Sequence, residues 1–467
     1  GGGGARGLGL RLGAAGALGL WCLWDALVDP ALGRDAWRDP AFRLYRGLGN
    51  AVLLVWTWGV NVAVWRRYGV DYARILELDP RVHRRADPCA TIWRAGAELS
   101  LAWLASFVCF YKALRGVFLR GVPPAAAHLF PLLLLLYMAQ RMVFPWRERR
   151  SMWVNIYNTV AAPCAQVHFK EGYVGDVLTS TVRLLVDVAF GTLWFLAGVR
   201  GWLTADRLDL VAGGNFIEGL WLFQKFIVPA LMAGPLYWRF MQNIHRAWAT
   251  GDRWPHLGNA MKYAAAQTVG LLGVFHPELR QHPAWVSGFV FATCYQYAWD
   301  IFMDWDLLRW NGSSFELRKN RLYSSKSFYL AIAAVNLVLR FLWTITLIPE
   351  STQHLFTEKF DINVHLSPFI AAAEICRRSM WGFLRVENEH LHVHGGRRPK
   401  PPSAVAAAAP GATSIAGPPV DPLPKNKAGD GFRPMGIAIA AGGGGDKKKG
   451  GHPHREEDGG EGEDEEE

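Results

Sequence analysis

Residues 297–304 read YAWDIFMD, residues 336–343 read NLVLRFLW and residues 374–381 read EICRRSMW. Each stretch lies in or at the end of a long apolar run, and each carries charge. Asp300 and Asp304 close the first run, Arg340 sits inside the second, and Glu374, Arg377 and Arg378 sit inside the third. A charged side chain at mid-membrane costs about 2.5–3.5 kcal/mol on insertion scales. Such groups in three successive helices imply an internal site, ion-paired or open to water. A path for a charged solute is the first reading.

The composition supports a membrane setting. Half of the 467 residues are hydrophobic, with 22 Trp and 25 Phe, too apolar for an ordinary soluble chain of this length. Beyond Gly395 the sequence turns Pro/Ala/Gly-rich, passes Lys447–Lys449 and ends in an acidic run, Glu456–Glu467. Such a tail cannot bury a core and is expected to be disordered and solvated. The net charge of +10 comes mainly from Arg between apolar segments, so it reports orientation before nucleic-acid binding, which is not expected. The Cys residues form no CxxC pair, and several lie in apolar helices, so free thiols are expected.

Apolar runs long enough to cross a bilayer fall at 7–27, 47–65, 97–119, 125–144, 177–199, 216–238, 258–275, 284–303, 325–348 and 365–385. The expected fold is therefore all-α and polytopic, with about ten transmembrane helices. Arg clusters alternate between connections. Arg66, Arg67, Arg74, Arg81, Arg84, Arg85 and Arg94 form one, and Arg147, Arg149 and Arg150 the next. Arg239, Arg246 and Arg253 follow, then Arg309, Arg318, Lys319 and Arg321. Arg280 and Lys359 are nearly alone on the other side, while the first connection is mixed (Asp29, Arg34, Asp35, Arg38, Asp39). The positive-inside rule then places both termini in the cytosol. Segment 146–172 is polar at its start and reads as an interfacial helix ended near Pro163.

Helical spacing groups the intramembrane polar residues. Asp300 and Asp304 share a face at i, i+4; Asn336, Arg340 and Trp343 do so at i, i+4, i+7; Glu374, Arg377 and Arg378 at i, i+3, i+4. Asn259, Lys262 and Tyr263 head the seventh run, and Asp176, Thr179 and Ser180 open the fifth, where a helix N-terminus favours an anion. Lys262, Arg340, Arg377 and Arg378 balance Asp176, Asp300, Asp304 and Glu374 in formal charge. A balanced set suits transient anion holding, and Arg suits phosphate because its planar fork makes two parallel charge-assisted bonds. Pairing between helices for packing alone is the competing account. His390, His392 and His394 alternate without Cys or carboxylate partners at ligand spacing, so no metal site is assigned. Gln296, Asp300 and Asp304 have the spacing of Asp-rich magnesium-diphosphate helices, but one such motif is too few for that enzyme class. No enzyme activity and no cofactor are expected.

The motifs PHLGNAMKY (255–263), WDIFMDWDLL (299–308), LRFLWT (339–344) and EICRRSMWGFLRVENEHL (374–391) together resemble the EXS domain. That domain is the membrane core of eukaryotic phosphate exporters related to the xenotropic and polytropic retrovirus receptor. RMVFPWRERR, APCAQVHFKEGYVGDVLTS and RFMQNIHRAW fit the same family. The resemblance covers roughly 107–394, giving three parts: N-terminal helices and a basic loop at 1–106, an EXS membrane domain at 107–394 and a tail at 395–467. It implies phosphate ligands at Lys262, Tyr263, Arg340, Arg377 and Arg378. Asp176, Asp300 and Glu374 would orient them, Asp304 would line the route, and Trp343 would gate the outward path. Inorganic phosphate and the bilayer are the implied partners, with a homodimer and tail-bound Golgi enzymes or sorting factors as further candidates. No Lys-rich SPX domain is read in the first 100 residues. The chain therefore resembles the SPX-less branch that includes the yeast ER-retention-defective protein, a branch associated with the Golgi. Phosphate return from the Golgi lumen to the cytosol is the implied activity, unresponsive to inositol pyrophosphates. Plasma-membrane export and a Golgi sorting role without transport are the alternatives.

Overall fold

The computed structural model describes residues 2–28, 40–79, 87–114, 124–162, 164–202, 216–323, 325–347 and 362–394. The expected disordered tail, the mixed first connection, Arg81, Arg84, Arg85, Pro163 and Lys359 lie outside the described residues. The architecture is helical, and a helix stands at every apolar run identified above. The long ones are α1 (Gly2–Val28), α2 (Pro40–Arg67), α3 (Pro88–Leu114) and α4 (Leu129–Val143). Then come α5 (Trp146–Val160), α6 (Phe169–Thr179), α7 (Val182–Trp202) and α8 (Val228–Thr250). The last are α9 (His256–Phe275), α10 (Pro283–Trp299), α11 (Lys326–Arg340) and α12 (Ile362–Val393).

Among the described residues, four helical stretches are long and apolar enough to cross a membrane: Pro40–Arg67, Pro88–Leu114, Ala126–Val143 and Lys326–Ile345. A fifth is added if Phe169–Thr179 and Val182–Gly198, bent by 65°, form one broken span. Other runs fall short for identifiable reasons. α10 gives way to a π-helical turn at Asp300–Asp304, and the charges of α12 lower its mean hydropathy. Large apolar side chains remain exposed on these helices, including Leu133, Phe291, Val338 and Phe369 at 60–66%. That surface suits lipid, because water would penalise so wide an apolar face. The chain is a polytopic helical membrane protein.

The break between α6 and α7 is written in the sequence Thr179-Ser180-Thr181. Thr179 Oγ1 donates to the Asp176 carbonyl at 2.7 Å and Thr181 Oγ1 to the Leu178 carbonyl at 2.9 Å. Hydroxyls that bond back onto the preceding turn compete with the helix ladder and bend it.

Two apolar clusters share α2. Its first half (Ala41, Leu44, Tyr45, Leu48) packs with Phe110, Leu134, Phe190, Trp194 and Phe223. Its last turns (Val62, Trp65) pack with Tyr173, Trp305, Tyr329, Trp381 and Leu384. Gly47 and Gly191 let α2 and α7 approach closely. A Cβ on Gly191 would stand 2.9 Å from the Leu44 side chain, too near for any other residue.

Two findings add to the sequence reading. Leu308–Trp310 and Phe315–Leu317 form a short two-stranded antiparallel hairpin within the mostly helical fold. Its turn is Asn311–Ser314, closed by Asn311 N donating to the Ser314 carbonyl at 3.1 Å, with Gly312 at φ +100° and Asn311 Oδ1 accepting from the Ser313 and Ser314 amides. Asn, Gly and Ser between Trp310 and Phe315 are turn residues, and Gly takes the positive φ. Second, Arg318 is not a solvated loop charge but is buried. It pairs with Glu387 and donates to the Trp305 carbonyl at 2.7 Å and to Asn388 Oδ1 at 2.9 Å. Glu387 also accepts from the Leu322 amide and the Tyr329 hydroxyl, which fastens the hairpin exit to α12.

Candidate functional site

The polar residues of α6, α8, α9, α10, α11 and α12 meet in one network with two limbs. In the first, Arg340 donates from Nη2 to Asp300 Oδ2 at 2.5 Å and from Nη1 to Gln296 Oε1 at 3.1 Å. Asn336 Nδ2 donates to the same Asp300 oxygen at 2.9 Å, and its Oδ1 accepts from Arg377 Nη1 at 2.9 Å. Arg377 then grips Glu374 with two bonds, Nε to Oε2 at 2.7 Å and Nη2 to Oε1 at 2.6 Å. Glu374 accepts from Ser180 Oγ at 2.6 Å, and Arg378 reaches Ser180 Oγ at 2.8 Å and Thr179 Oγ1 at 3.1 Å. The helix break thus supplies two hydroxyls to the site.

The second limb is centred on Asp176, buried one turn before the break. Its Oδ1 accepts from Arg239 Nε at 3.0 Å and from the Tyr263 hydroxyl. Arg239 also donates to Gln242 Oε1 and to the Tyr263 oxygen. Spacing placed Arg239 among the loop cations, and the structure buries it in the site. Its position at the end of an apolar run imitates a positive-inside residue. The overlooked signal is on the facing helix: a Cβ on Gly175 would stand 2.5 Å from Arg239 Cδ, so only glycine leaves the side chain its place. Gly175→Ala is expected to cost about 1–3 kcal/mol by overpacking, to displace Arg239 from Asp176, and to lower Tm. A melting curve unchanged from the parent would contradict this.

Lys262 differs from the other cations. It is buried, yet its ammonium makes no hydrogen bond or ion pair among the described residues. Nζ lies over the ring of Tyr263 at 4.4 Å and that of Trp299 at 5.5 Å, and it feels the carboxylates of Asp304, Asp176 and Asp300 from farther away. With Arg239 included, the site holds five cations, Arg239, Lys262, Arg340, Arg377 and Arg378, against Asp176, Asp300, Asp304 and Glu374. Three carboxylates are each matched to one guanidinium. Among the described residues, Lys262 touches aromatic rings and Arg378 touches hydroxyls and the Trp381 ring, at 4.8 Å, and neither makes a direct ion pair with a carboxylate. The arrangement is short of negative charge where these two cations lie, which is what a transient anion would supply.

Two sequence-derived positions sit at the margin. Asp304 ends the π-helical turn, where Trp305 N donates to the Asp300 carbonyl at 2.9 Å. Its carboxylate accepts from Trp381 Nε1 at 3.3 Å and stands 3.9 Å from Arg385 Nε, away from the Arg340 limb. Trp343 does not continue the Asn336–Arg340 helical face. α11 ends at Arg340, and Leu342–Leu347 is a 3-10 turn, in which the β-branched Thr344, Ile345 and Thr346 follow the helix end. Trp343 packs there on Phe289 at 4.2 Å and Trp285 at 6.2 Å. The histidines after the site have structural contacts: His390 Nδ1 accepts from the Asp71 amide at 3.1 Å and its ring stacks on His394 at 4.2 Å.

The charged network lies within a stretch that matches the EXS family profile, residues 41–391. The chain belongs to the EXS family. Among curated EXS relatives, it is 32% identical over 367 residues to the SPX and EXS domain-containing protein 1 of Dictyostelium discoideum, covering 74% of this chain and 37% of that protein. It is 28% identical over 395 residues to the xenotropic and polytropic retrovirus receptor 1 homolog of Xenopus laevis, covering 80% of this chain and 55% of that one. It is 28% identical over 371 residues to solute carrier family 53 member 1 of Homo sapiens, covering 77% of this chain and 51% of the relative. The chain therefore spans about a third to about half the length of these EXS relatives.

Proposed function

We propose that this EXS protein carries inorganic phosphate across a membrane through the charged network. The observation that carries the reading is Lys262, a buried side chain whose ammonium makes no hydrogen bond or ion pair among the described residues, beside Tyr263 and within the field of three carboxylates. A phosphate entering between Lys262, Tyr263, Arg340, Arg377 and Arg378 would accept charge-assisted hydrogen bonds from planar forks and a point charge. Asp176, Asp300 and Glu374 keep the guanidiniums oriented when the site is empty, Asp304 and Arg385 lie on the route, and Trp343 with its aromatic neighbours closes the far end. The names of the relatives, a solute carrier among them, support a transporter and not an enzyme.

In this proposal the chain crosses the bilayer ten times, both ends lie in the cytosol, and phosphate returns from the Golgi lumen along its own gradient. The test is purified protein in proteoliposomes loaded with radiolabelled phosphate. Protein-dependent efflux that unlabelled phosphate competes for is expected. Flux no greater than in protein-free liposomes, from a folded sample in either orientation, would sink the transporter reading.

A further inference from the structure

Helix α7 carries a second charged group that the network above does not use. Asp187, fully buried, is held by Arg46 through Nε to Oδ2 at 2.6 Å and Nη2 to Oδ1 at 2.5 Å. That bidentate pair alone neutralises the carboxylate. Two more guanidiniums nevertheless approach it: Arg183 Nε stands 3.5 Å from Oδ1 and Arg43 Nε 3.8 Å. Neither makes a hydrogen bond to Asp187 among the described residues. Arg43 pairs with Glu218, whose side chain is 55% exposed, and lies over the Phe190 ring at 3.9 Å. Its Nε is buried and has no acceptor among the described residues. Arg183 keeps 43% of its side chain accessible.

Three guanidiniums and two carboxylates therefore meet where α2 and α7 are pressed together. A Cβ on Gly47 would come within 3.0 Å of Asp187 Cβ, so the close approach depends on glycine. A structural ion pair needs one arginine. Glu218 offsets Arg43, so the cluster is left with one positive charge in excess, and three guanidiniums this close repel one another in an apolar setting unless a further anion meets them. Their geometry is suited to one: Arg46 and Asp187 form a fixed floor, Arg43 offers an unused buried N–H, and Arg183 leaves the site open from one side.

We propose that Arg43, Arg46 and Arg183 form a second oxyanion site, taking a phosphate group, three residues along the chain from Ser180. The group is either free phosphate or the phosphate of an anionic lipid headgroup. The site stands independently of the transport reading, because none of its residues belongs to the Lys262–Arg340 network.

The test uses the full chain in phosphatidylcholine nanodiscs and the double variant Arg43→Gln/Arg183→Gln, which leaves the Arg46–Asp187 pair intact. One arm measures binding of radiolabelled inorganic phosphate, in the parent and in an Arg340→Gln background that reports the first site separately. The other arm adds phosphatidate to the nanodiscs and counts retained phosphatidate by native mass spectrometry. The double variant is expected to weaken one of the two by about ten- to a hundredfold, the loss that follows from removing a hydrogen bond to a charged group. The arm that falls identifies the source. A monodisperse double variant that keeps both phosphate and phosphatidate binding overturns the proposal. If the double variant does not fold, the unmodified chain and Arg340→Gln are melted with and without each probe. Absence of any stabilisation in Arg340→Gln also overturns it.

Discussion

Arg340→Lys is expected to insert and fold like the parent while losing about ten- to a hundredfold of its phosphate flux per molecule. The lysine keeps the charge near Asp300 but cannot reproduce the fork that bonds Asp300 and Gln296 together. Arg340→Ala is expected to do worse on both counts. It leaves Asp300 buried with only Asn336 as a hydrogen-bond donor, and a buried charge stripped of its partner costs about 3–5 kcal/mol. Folded yield should fall along with flux. The decisive quantity is flux normalised to folded protein. If Arg340 only ties α10 to α11, lysine restores normal flux and alanine lowers abundance alone. Near-normal flux per folded molecule in both variants would remove Arg340 from the transport site.

Lys262→Met is expected to behave in the opposite way with respect to stability. Its ammonium has aromatic faces and no direct acceptor among the described residues, so replacing it with an apolar side chain of similar length removes a desolvation cost that distant carboxylates offset only in part. Tm should hold or rise, while flux should fall by at least about a hundredfold, because the cation without a partner is the one left for the substrate. Melting and flux measured on the same preparation separate the outcomes. A destabilised variant with flux intact would show that Lys262 serves the fold, through contacts with Asp304 or Asp176 formed in another state.

The sequence exposes helices readily and their partners less readily. Apolar runs of about 20 residues can hardly be anything but membrane helices, so a helix at each of the ten runs was legible; α6 was not, and Asp176 and Thr179 stand in its last turn instead of opening the fifth run at a helix N-terminus. Charges inside runs were legible too: Arg340, Glu374 and Arg377 stand out by cost alone, and the structure brings them together with Asp300, which closes its run. Charges at the ends of runs were not. Arg239 and Arg318 follow apolar stretches, where the positive-inside rule offers a sufficient explanation, yet both are buried against carboxylates. Asp187 is a different omission. It lies well inside the run at 177–199, and the same reasoning that selected Asp300 applied to it, but its partner Arg46 lies at the border of another run, far away in sequence. Trp343 was placed by extending a helical period across a helix end, which spacing cannot detect.

Helix α12 joins two attachments that have so far been treated separately. Arg377 holds Glu374 and Asn336 in the charged network, and Glu387, ten residues on, is clasped by Arg318 and Tyr329 beneath the hairpin. At about 1.5 Å per residue the two grips are about 15 Å apart on one continuous rod. A tilt of about 5° pivoting at the hairpin would carry the Arg377 end sideways by about 1 Å, a displacement large enough to unmake oriented contacts. Whatever presses on the hairpin therefore reaches the charged network by leverage, without any chain of intermediate side chains having to relay it.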